Sequence, residues 1–555
     1  GLAELFPLYR AHLAERGAVD FDEQIYAAVE ALLHDGAFRR RAQARHRHLL
    51  VDEFQDLTPA HVLLLRLLAA PTLDVFAVGD DDQVIYGHAG ADPHFLVAFD
   101  RFFPAASNYA LEVNYRCPVA VVDAAVHLLS YNRRRVAKDI RPGPAAEVFG
   151  GALRTRLDRP EAGAAAVVEE VARWLDEPGT NPGDVAVLTR VNSLLLAPHV
   201  ALAEADVALA SVLSPDVLSR TGLRAALAYL RLATRPLDLA PDDLAEIMRR
   251  PSRGLPNWIT KWFRPGLSIE GVRAIADRLD DAKVAGKIEG LAADLDLVEA
   301  AARSGTTRDV LCVVKDGIGL GEAMELLDRS KGGEGSSQLD DLEGLLQVAD
   351  LHPDPATFED WLRGVFRREH APGGVTLSTI HRVKGQEWDR VAVFGATAGV
   401  LPHRLAVDVE EERRVLHVAI TRARRRVVVL GDASRPSSLL AELDGTAPRG
   451  VVPTPTPRSV PPSRPTAGRD QLTEQVQEAV YDAVAAWRKR TAAQSGKPAY
   501  VVLSNASVAA IAVKRPTTLR ALVTVPGIGP AKLELYGEEL LEVLSGFTGA
   551  DEGVS

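Results

Sequence analysis

The chain has 555 residues, 47 % hydrophobic and 25 % charged, with a net charge of −11; that is too long for one core and implies several domains. Two cysteines, Cys117 and Cys312, exclude a disulfide framework or a Cys-rich zinc site and fit a reducing cytosol. No apolar run approaches the ~20 residues of a membrane span, no signal peptide opens the chain, and the acidic balance speaks against a small basic nucleic-acid module while allowing a local basic groove on an acidic body.

Residue 1 is Gly, and the only methionines are Met248 and Met324, so the chain is expected to be a fragment, a trimmed chain or a processed product. In chain order, "DFDEQIYAAVEALL" carries Phe21, Ile25, Val29 and Leu32 at helical spacing. "HRHLLVDEFQD" reads as a short buried strand ending near Val51, and "PAHVLLLRLLA" as a helix with Pro59 in its first turn. "LDVFAVGDDDQ" is a second buried strand, Val75–Val78. Apolar runs alternating with helices predict a parallel, doubly wound sheet, whose ligands sit beyond the C-terminal strand ends. Both acidic clusters, Asp52-Glu53 and Asp80–Asp82, fall there. A second α/β block follows, with strands at 184–190, around 374–395 and at 425–431, and an amphipathic helix at 409–423. Between them, 221–370 is predicted to be helical, an insertion splitting the second block of 141–220 and 371–435. A Pro-rich linker over 436–470 leads to a compact helical module over 471–546. Arg39–Arg41, Arg133–Arg135 and Arg424–Arg426 read more readily as solvated faces than as a groove.

Adjacent carboxylates at a strand end suit a nucleotide-bound Mg²⁺, which keeps several waters and takes one or two carboxylates; a neighbouring carboxylate can orient or deprotonate an attacking water. Gln83 in "GDDDQVIYGHAGA" offers an amide to sense a phosphate. Tyr115 and Arg116 in "LEVNYRCP" offer a stacking ring and a phosphate fork. Arg422 in "AITRARRR" is suited to neutralising a transferring phosphoryl group.

Taken together and in order, these stretches resemble the superfamily 1 DNA helicases of the UvrD/Rep/PcrA type over about residues 5–435. "VDEFQD" is similar to motif II, "GDDDQVIYGHAGA" to motif III, "LEVNYRCP" to motif IV, "VTLSTIHRVKGQEWDRV" to motif V and "EEERRVLHVAITRAR" to motif VI. The resemblance implies two RecA-like domains, the first within 1–140 and incomplete, and a cleft that uses ATP and Mg²⁺ to drive 3′–5′ movement on single-stranded DNA and unwinding of duplex DNA in repair or recombination. By the same resemblance Asp52 binds Mg²⁺, Glu53 is the catalytic base, Gln83 contacts the γ-phosphate, and Arg116 and Arg422 are arginine fingers. Tyr115 lies at the adenine, Glu387 at the sugar and Lys384 near the coupling elements, while Tyr86, His88, Thr379 and His381 face DNA. His88 stands where the family usually has Trp, and Gln386 replaces a usual Leu. The tail resembles an HRDC domain through "VPGIGPAKLELYG", with a basic face expected from Arg488, Lys489, Arg490, Lys514, Arg515 and Lys532.

The phosphate-cradling run G-x-x-x-x-G-K-[ST] is absent from the 555 residues, and the chain alone is expected not to turn over ATP appreciably. A cytoplasmic, nucleoid-associated monomer or DNA-dependent dimer, with no membrane contact, completes the expectation. Two alternatives stand beside it: the motor subunit of a RecB/AddA-type helicase-nuclease, and a non-catalytic DNA-binding protein.

Overall fold

The strands Val185–Thr189, Trp388–Phe394 and Ala423–Asp432 are rich in β-branched residues on both faces, the pattern of a parallel sheet covered on both sides. In the computed structural model they form the middle of a five-stranded, all-parallel sheet. The structure describes residues 2–447 apart from 88–89, 105, 145, 147–151, 211–212, 332–337 and 369–370, and in the tail 469–495, 502–503, 505–522, 525, 530–545 and 547. It divides into two compact units, Gly1–Pro453 and Thr454–Ser555.

Nine strands are described in the first unit: β1 (Leu49–Val51), β2 (Val75–Ala77), β3 (Val113–Asn114), β4 (Arg141–Pro142), β5 (Leu153–Asp158), β6 (Val185–Thr189), β7 (Thr376–Thr379), β8 (Trp388–Phe394) and β9 (Ala423–Asp432). The large sheet runs β5-β9-β8-β6-β7. Its side chains alternate between two cores, as a period of two requires. Val185, Val187, Phe394 and Val428 face a core shared with the helices of 221–365, so the predicted insertion packs directly on the sheet. Ala186, Leu188, Val391 and Val429 face a second core, with Val415, Leu416 and Ala419 of the Val409–Ile420 helix. No helix of the described residues is long and apolar enough to cross a membrane.

Three expectations are corrected, and one strand was missed. β1 and β2 pair in parallel, Leu49 with Val75 and Val51 with Ala77, but they are not buried strands. One face rests on Phe54, Val62, Phe99 and Phe103, while on the other Leu50 is 78 % and Phe76 63 % exposed. The Val119–Leu129 helix, expected in the first α/β block, instead joins the core of the five-stranded sheet through Val121, Val122, Ala125 and Leu128. Within the expected linker, Leu439–Leu443 is a helix, and Leu439, Leu440 and Leu443 are buried in that same core. The edge strand β5 goes unpredicted because "LRTRLD" alternates charge with modest apolarity, the look of a surface segment.

In the tail unit, helices Arg469–Ser495, Asn505–Lys514 and Pro530–Ser545 enclose Val484, Trp487, Ile511 and Leu540. Trp487 Nε1 donates to Glu539 at 3.0 Å. The glycines of "VPGIGPAK" and the side chain of Lys532 lie outside the described residues. Of the expected basic face, Lys489, Arg490 and Lys514 are exposed, whereas Arg488 folds inward and donates to the Leu503 carbonyl at 3.1 Å.

Candidate functional site

β1 ends where it does because two backbone bonds tie its exit to β2: Val78 N–H donates to Val51 O at 2.8 Å and Phe54 N–H to Val78 O at 2.9 Å. Burial of Phe54 then fixes the turn, leaving Asp52 and Glu53 exposed at the strand's C-terminal end. Glu53 sits in the left-handed region at φ 51°, a costly conformation for a non-glycine residue and one concentrated at functional sites. Its carboxylate accepts from Gln55 Nε2. Gln55 in turn accepts from Asp80 N–H at 2.9 Å, coupling the two acidic turns.

Lys384 crosses to this turn from the second sheet. It follows the Ile380–Val383 turn after β7 and places Nζ 2.6 Å from Asp56 and 3.3 Å from Glu53. Burial raises the Asp56 carboxyl above its ordinary range, against the pull of Lys384. Tyr86 hydroxyl donates to the His381 carbonyl, and the two rings meet edge to face at 6.2 Å. Burial also raises the Tyr86 phenol.

The second acidic turn carries three carboxylates whose oxygens lie within 4.8 Å of one another. It does not fit a metal, because the ammonium of Lys138 already stands among them, 2.6 Å from Asp80, 2.7 Å from Asp81 and 2.9 Å from Asp82. Arg135 adds a two-pronged contact to Asp82 at 2.7 and 2.9 Å. Burial alone would push the Asp80 carboxyl up, but Lys138, His417 and Gln83 outweigh it and hold it below the carboxylate range. Asp81 is held above that range, by burial and by the adjacent Asp82. His417 of the Val409–Ile420 helix meets the Asp82 carbonyl at 3.2 Å, and burial holds its pKa low.

Gln83 closes this turn beside a cavity of about 160 Å³ that is also lined by Asp80, Arg116, Lys138, His417 and Arg422. Arg422, at the foot of the Val409–Ile420 helix, is buried; its Nε donates to Val418 O at 3.1 Å and a terminal nitrogen reaches Gln83 Oε1 at 3.5 Å. Burial, then repulsion from Arg116, pulls Arg422 down to about 10, so it keeps its charge at neutral pH. Arg116 is held by Asn114, which accepts from the backbone N–H of Arg116 and Cys117 at 3.0 and 2.9 Å. The Arg116 guanidinium pairs with Glu387. Burial pushes the adjacent Cys117 thiol up to about 11, leaving it inert. Tyr115 stands exposed on the rim.

Gln83, Arg116 and Arg422 thus line one cavity, Glu387 is joined to it through Arg116, and Glu53 is linked to Lys384 directly and to Asp80 through Gln55. Thr379 is a correction: as the last residue of β7 its side chain is buried and offers DNA no surface. His88 lies outside the described residues. Of the arginine runs, Arg40, Arg41, Arg133, Arg134, Arg424 and Arg425 are exposed, as expected of solvated faces, although Arg134 pairs with Asp408 and Arg424 with Asp389. Arg135, on Asp82, and Arg426, on Glu177, are part-buried and depart from that expectation. Lys138, Arg135 and His417 are the site residues that sequence reasoning missed. Three consecutive acids entering a core, which demand cations, were the available signal.

The family model of the UvrD/REP helicase N-terminal domain matches residues 1–104, and that of the UvrD-like helicase C-terminal domain matches 358–431. The ATP-dependent DNA helicase UvrD2 of Mycobacterium tuberculosis is 30 % identical over 99 % of this chain and 74 % of its own length. The chain belongs to the UvrD-like ATP-dependent DNA helicase family. Further similar members are the ATP-dependent DNA helicase PcrA of Leuconostoc citreum, 27 % identical over 80 % of this chain and 63 % of its own, and DNA helicase II of Escherichia coli, 27 % identical over 77 % and 61 %. Residues 477–544 of this UvrD-like helicase match an HRDC domain. The α/β architecture with its parallel sheet is the one the family resemblance implies.

Proposed function

We propose that the cleft is the ATP site of a 3′–5′ DNA translocase that unwinds duplex DNA in repair or recombination in a bacterial cytoplasm. The lining of one cavity by Gln83, Arg116 and Arg422, with Glu53 linked to its Asp80 wall through Gln55, supports this reading most strongly. Asp52 fits a Mg²⁺ ligand: it is an exposed hard-oxygen donor at a strand end, held by the Glu53 N–H on one oxygen at 2.9 Å. Bound there, the ion would neutralise charge developing on the phosphates. Glu53 takes the proton of the attacking water; its carboxylate is held by Gln55 Nε2. Gln83 contacts the γ-phosphate. Arg116 and Arg422 neutralise the transferring group; Arg116 does so by exchanging Glu387 for phosphate, which frees Glu387 for the sugar, and Tyr115 stacks on adenine. Lys384 couples the two blocks, and Tyr86 and His381 carry the coupling toward DNA.

These 555 residues hold the acidic wall and the arginine wall but no Gly-rich phosphate loop, so turnover by them alone is slow. Joined in one polypeptide to such a loop, the protein is expected to unwind duplexes with a 3′ single-stranded tail and to spare those with a 5′ tail. The opposite preference would overturn the polarity. Failure of the 555 residues to bind single-stranded DNA at low salt would overturn the DNA role itself.

A further inference from the structure

Outside the residues that touch nucleotide in the proposed function, the buried cluster at the 80–82 turn remains without a role. Lys138 lies on the segment between the Val119–Leu129 helix and β4, 55 residues beyond Gln83 in sequence. Its Nζ contacts all three carboxylates of the 80–82 turn at 2.6–2.9 Å. Asp81 is caught from its other side by the Val136 N–H at 2.7 Å.

The consequence reaches Gln83 through Asp80. One oxygen of Asp80 takes Lys138; the other accepts from Gln83 Nε2 at 2.8 Å. On the far side of the Gln83 amide stands Arg422, a donor without acceptor capacity. An ionised carboxylate accepts only and a guanidinium donates only. Between them an amide has one satisfied orientation, Nε2 to Asp80 and Oε1 to Arg422. The orientation holds only while Asp80 stays ionised and fixed, and burial alone would work against that. A cation among the carboxylates supplies the balance.

We propose that Lys138 is a positioning residue of the ATP site: its ammonium fixes Asp80 and, through Asp80, turns the Gln83 amide toward Arg422. The functional meaning rests on the reading of Gln83 as the phosphate contact, whereas the positioning itself does not. The Lys138 ammonium is taken up by the three carboxylates, so it acts on one side chain through another. Arg135 completes the arrangement by holding Asp82, so the segment carrying both cations serves as a splint for the turn.

The test follows the Gln83 side-chain amide in perdeuterated, ¹⁵N-glutamine-labelled protein, assigned by its loss in Gln83→Asn. Lys138→Met is expected to shift that resonance and to speed exchange of its two protons with solvent at least tenfold. Lys138→Arg, which keeps the charge, is expected to hold exchange within about twofold of wild type. An unchanged Gln83 amide in Lys138→Met overturns the proposal, as does equal disturbance by Met and Arg. If Lys138→Met does not fold, Asp80→Asn cuts the same link, and an undisturbed Gln83 amide there overturns it equally. No nucleotide is present, so failure refutes the positioning alone. Unimpaired DNA-stimulated hydrolysis by Gln83→Ala, in a polypeptide that includes a phosphate loop, refutes only the phosphate-contact reading.

Discussion

Replacing Lys384 by Met keeps the aliphatic stem and removes only the charge that ties the second sheet to the 53–56 turn. The Lys384 side chain is 9 % exposed and that of Asp56 27 %, with 2.6 Å between the charged atoms. At an effective dielectric of ~20 that distance gives a gross attraction of about 6 kcal/mol. Most of it is offset by desolvation, for burial already raises the Asp56 carboxyl and its Oδ1 has no hydrogen-bond partner among the described residues. Stripping one partner from a fully buried pair costs about 3–5 kcal/mol. Asp56 keeps some solvent exposure, so Lys384→Met should cost about 2 kcal/mol. Glu53, half exposed at 3.3 Å, adds little.

Urea unfolding with m unchanged measures this loss. Lys384→Met combined with Asp56→Asn should recover about half of it, because the stranded charge is gone. The deficit should also depend on pH in one direction. The folded-state pKa of Asp56 lies above its ordinary 3.8, so the folded protein binds its proton more tightly than the unfolded chain does, and the ionised group costs stability as pH rises. The deficit is therefore full at neutral pH and fades as the carboxyl protonates at lower pH. A loss below about 0.5 kcal/mol, or no coupling between the two substitutions, would refute the inter-block tie.

Three further outcomes are expected. Burial, then Arg368, pulls buried His199 down to about 4, so its neutral form contributes stability above pH ~6.5 that is lost as pH falls toward 4, up to about 3 kcal/mol; His199→Phe, beside Phe366, should flatten the fall in urea midpoint between pH 7 and 4.5, and an unchanged fall would reject this. Gly344→Ala would set a Cβ 2.6 Å from the Ser193 carbonyl, and the crowding should outweigh the gain in helix propensity and cost about 1–2 kcal/mol; a more stable variant in thermal melts would show that the neighbouring backbone yields freely. Deleting 471–555 should weaken single-stranded DNA binding and make the log–log salt slope shallower by about 0.7 for each phosphate the tail had neutralised; an unchanged affinity and slope would remove the HRDC unit from DNA binding.

The candidate residues of the proposed site were legible because each motif carries a residue type suited to one chemical role, whether paired acids, an amide, or arginines after a helix. What sequence could not supply was where those motifs pack. The Val119–Leu129 helix is apolar enough to suit either α/β block, and only the burial of Val121 and Leu128 against the Val409–Ile420 helix assigns it. The exposure of Leu50 and Phe76 is likewise a property of the neighbours β1 and β2 have, not of their apolar composition. Lys138 and Arg135 looked like ordinary surface cations, since the acids that claim them lie more than fifty residues earlier. Thr379 was placed by motif alone, and the pleat of β7 turns it inward.

The most direct test of the proposed site is steady-state ATP hydrolysis with saturating single-stranded DNA, by the 555 residues and by the same residues joined in one polypeptide to a Gly-rich phosphate loop. The account predicts a trace of turnover from the first. From the second it predicts DNA-stimulated turnover on the order of 1 s⁻¹ or faster, falling ~10³-fold in Arg422→Ala. Equal turnover by both polypeptides, or an Arg422→Ala protein within tenfold of its parent, would contradict it.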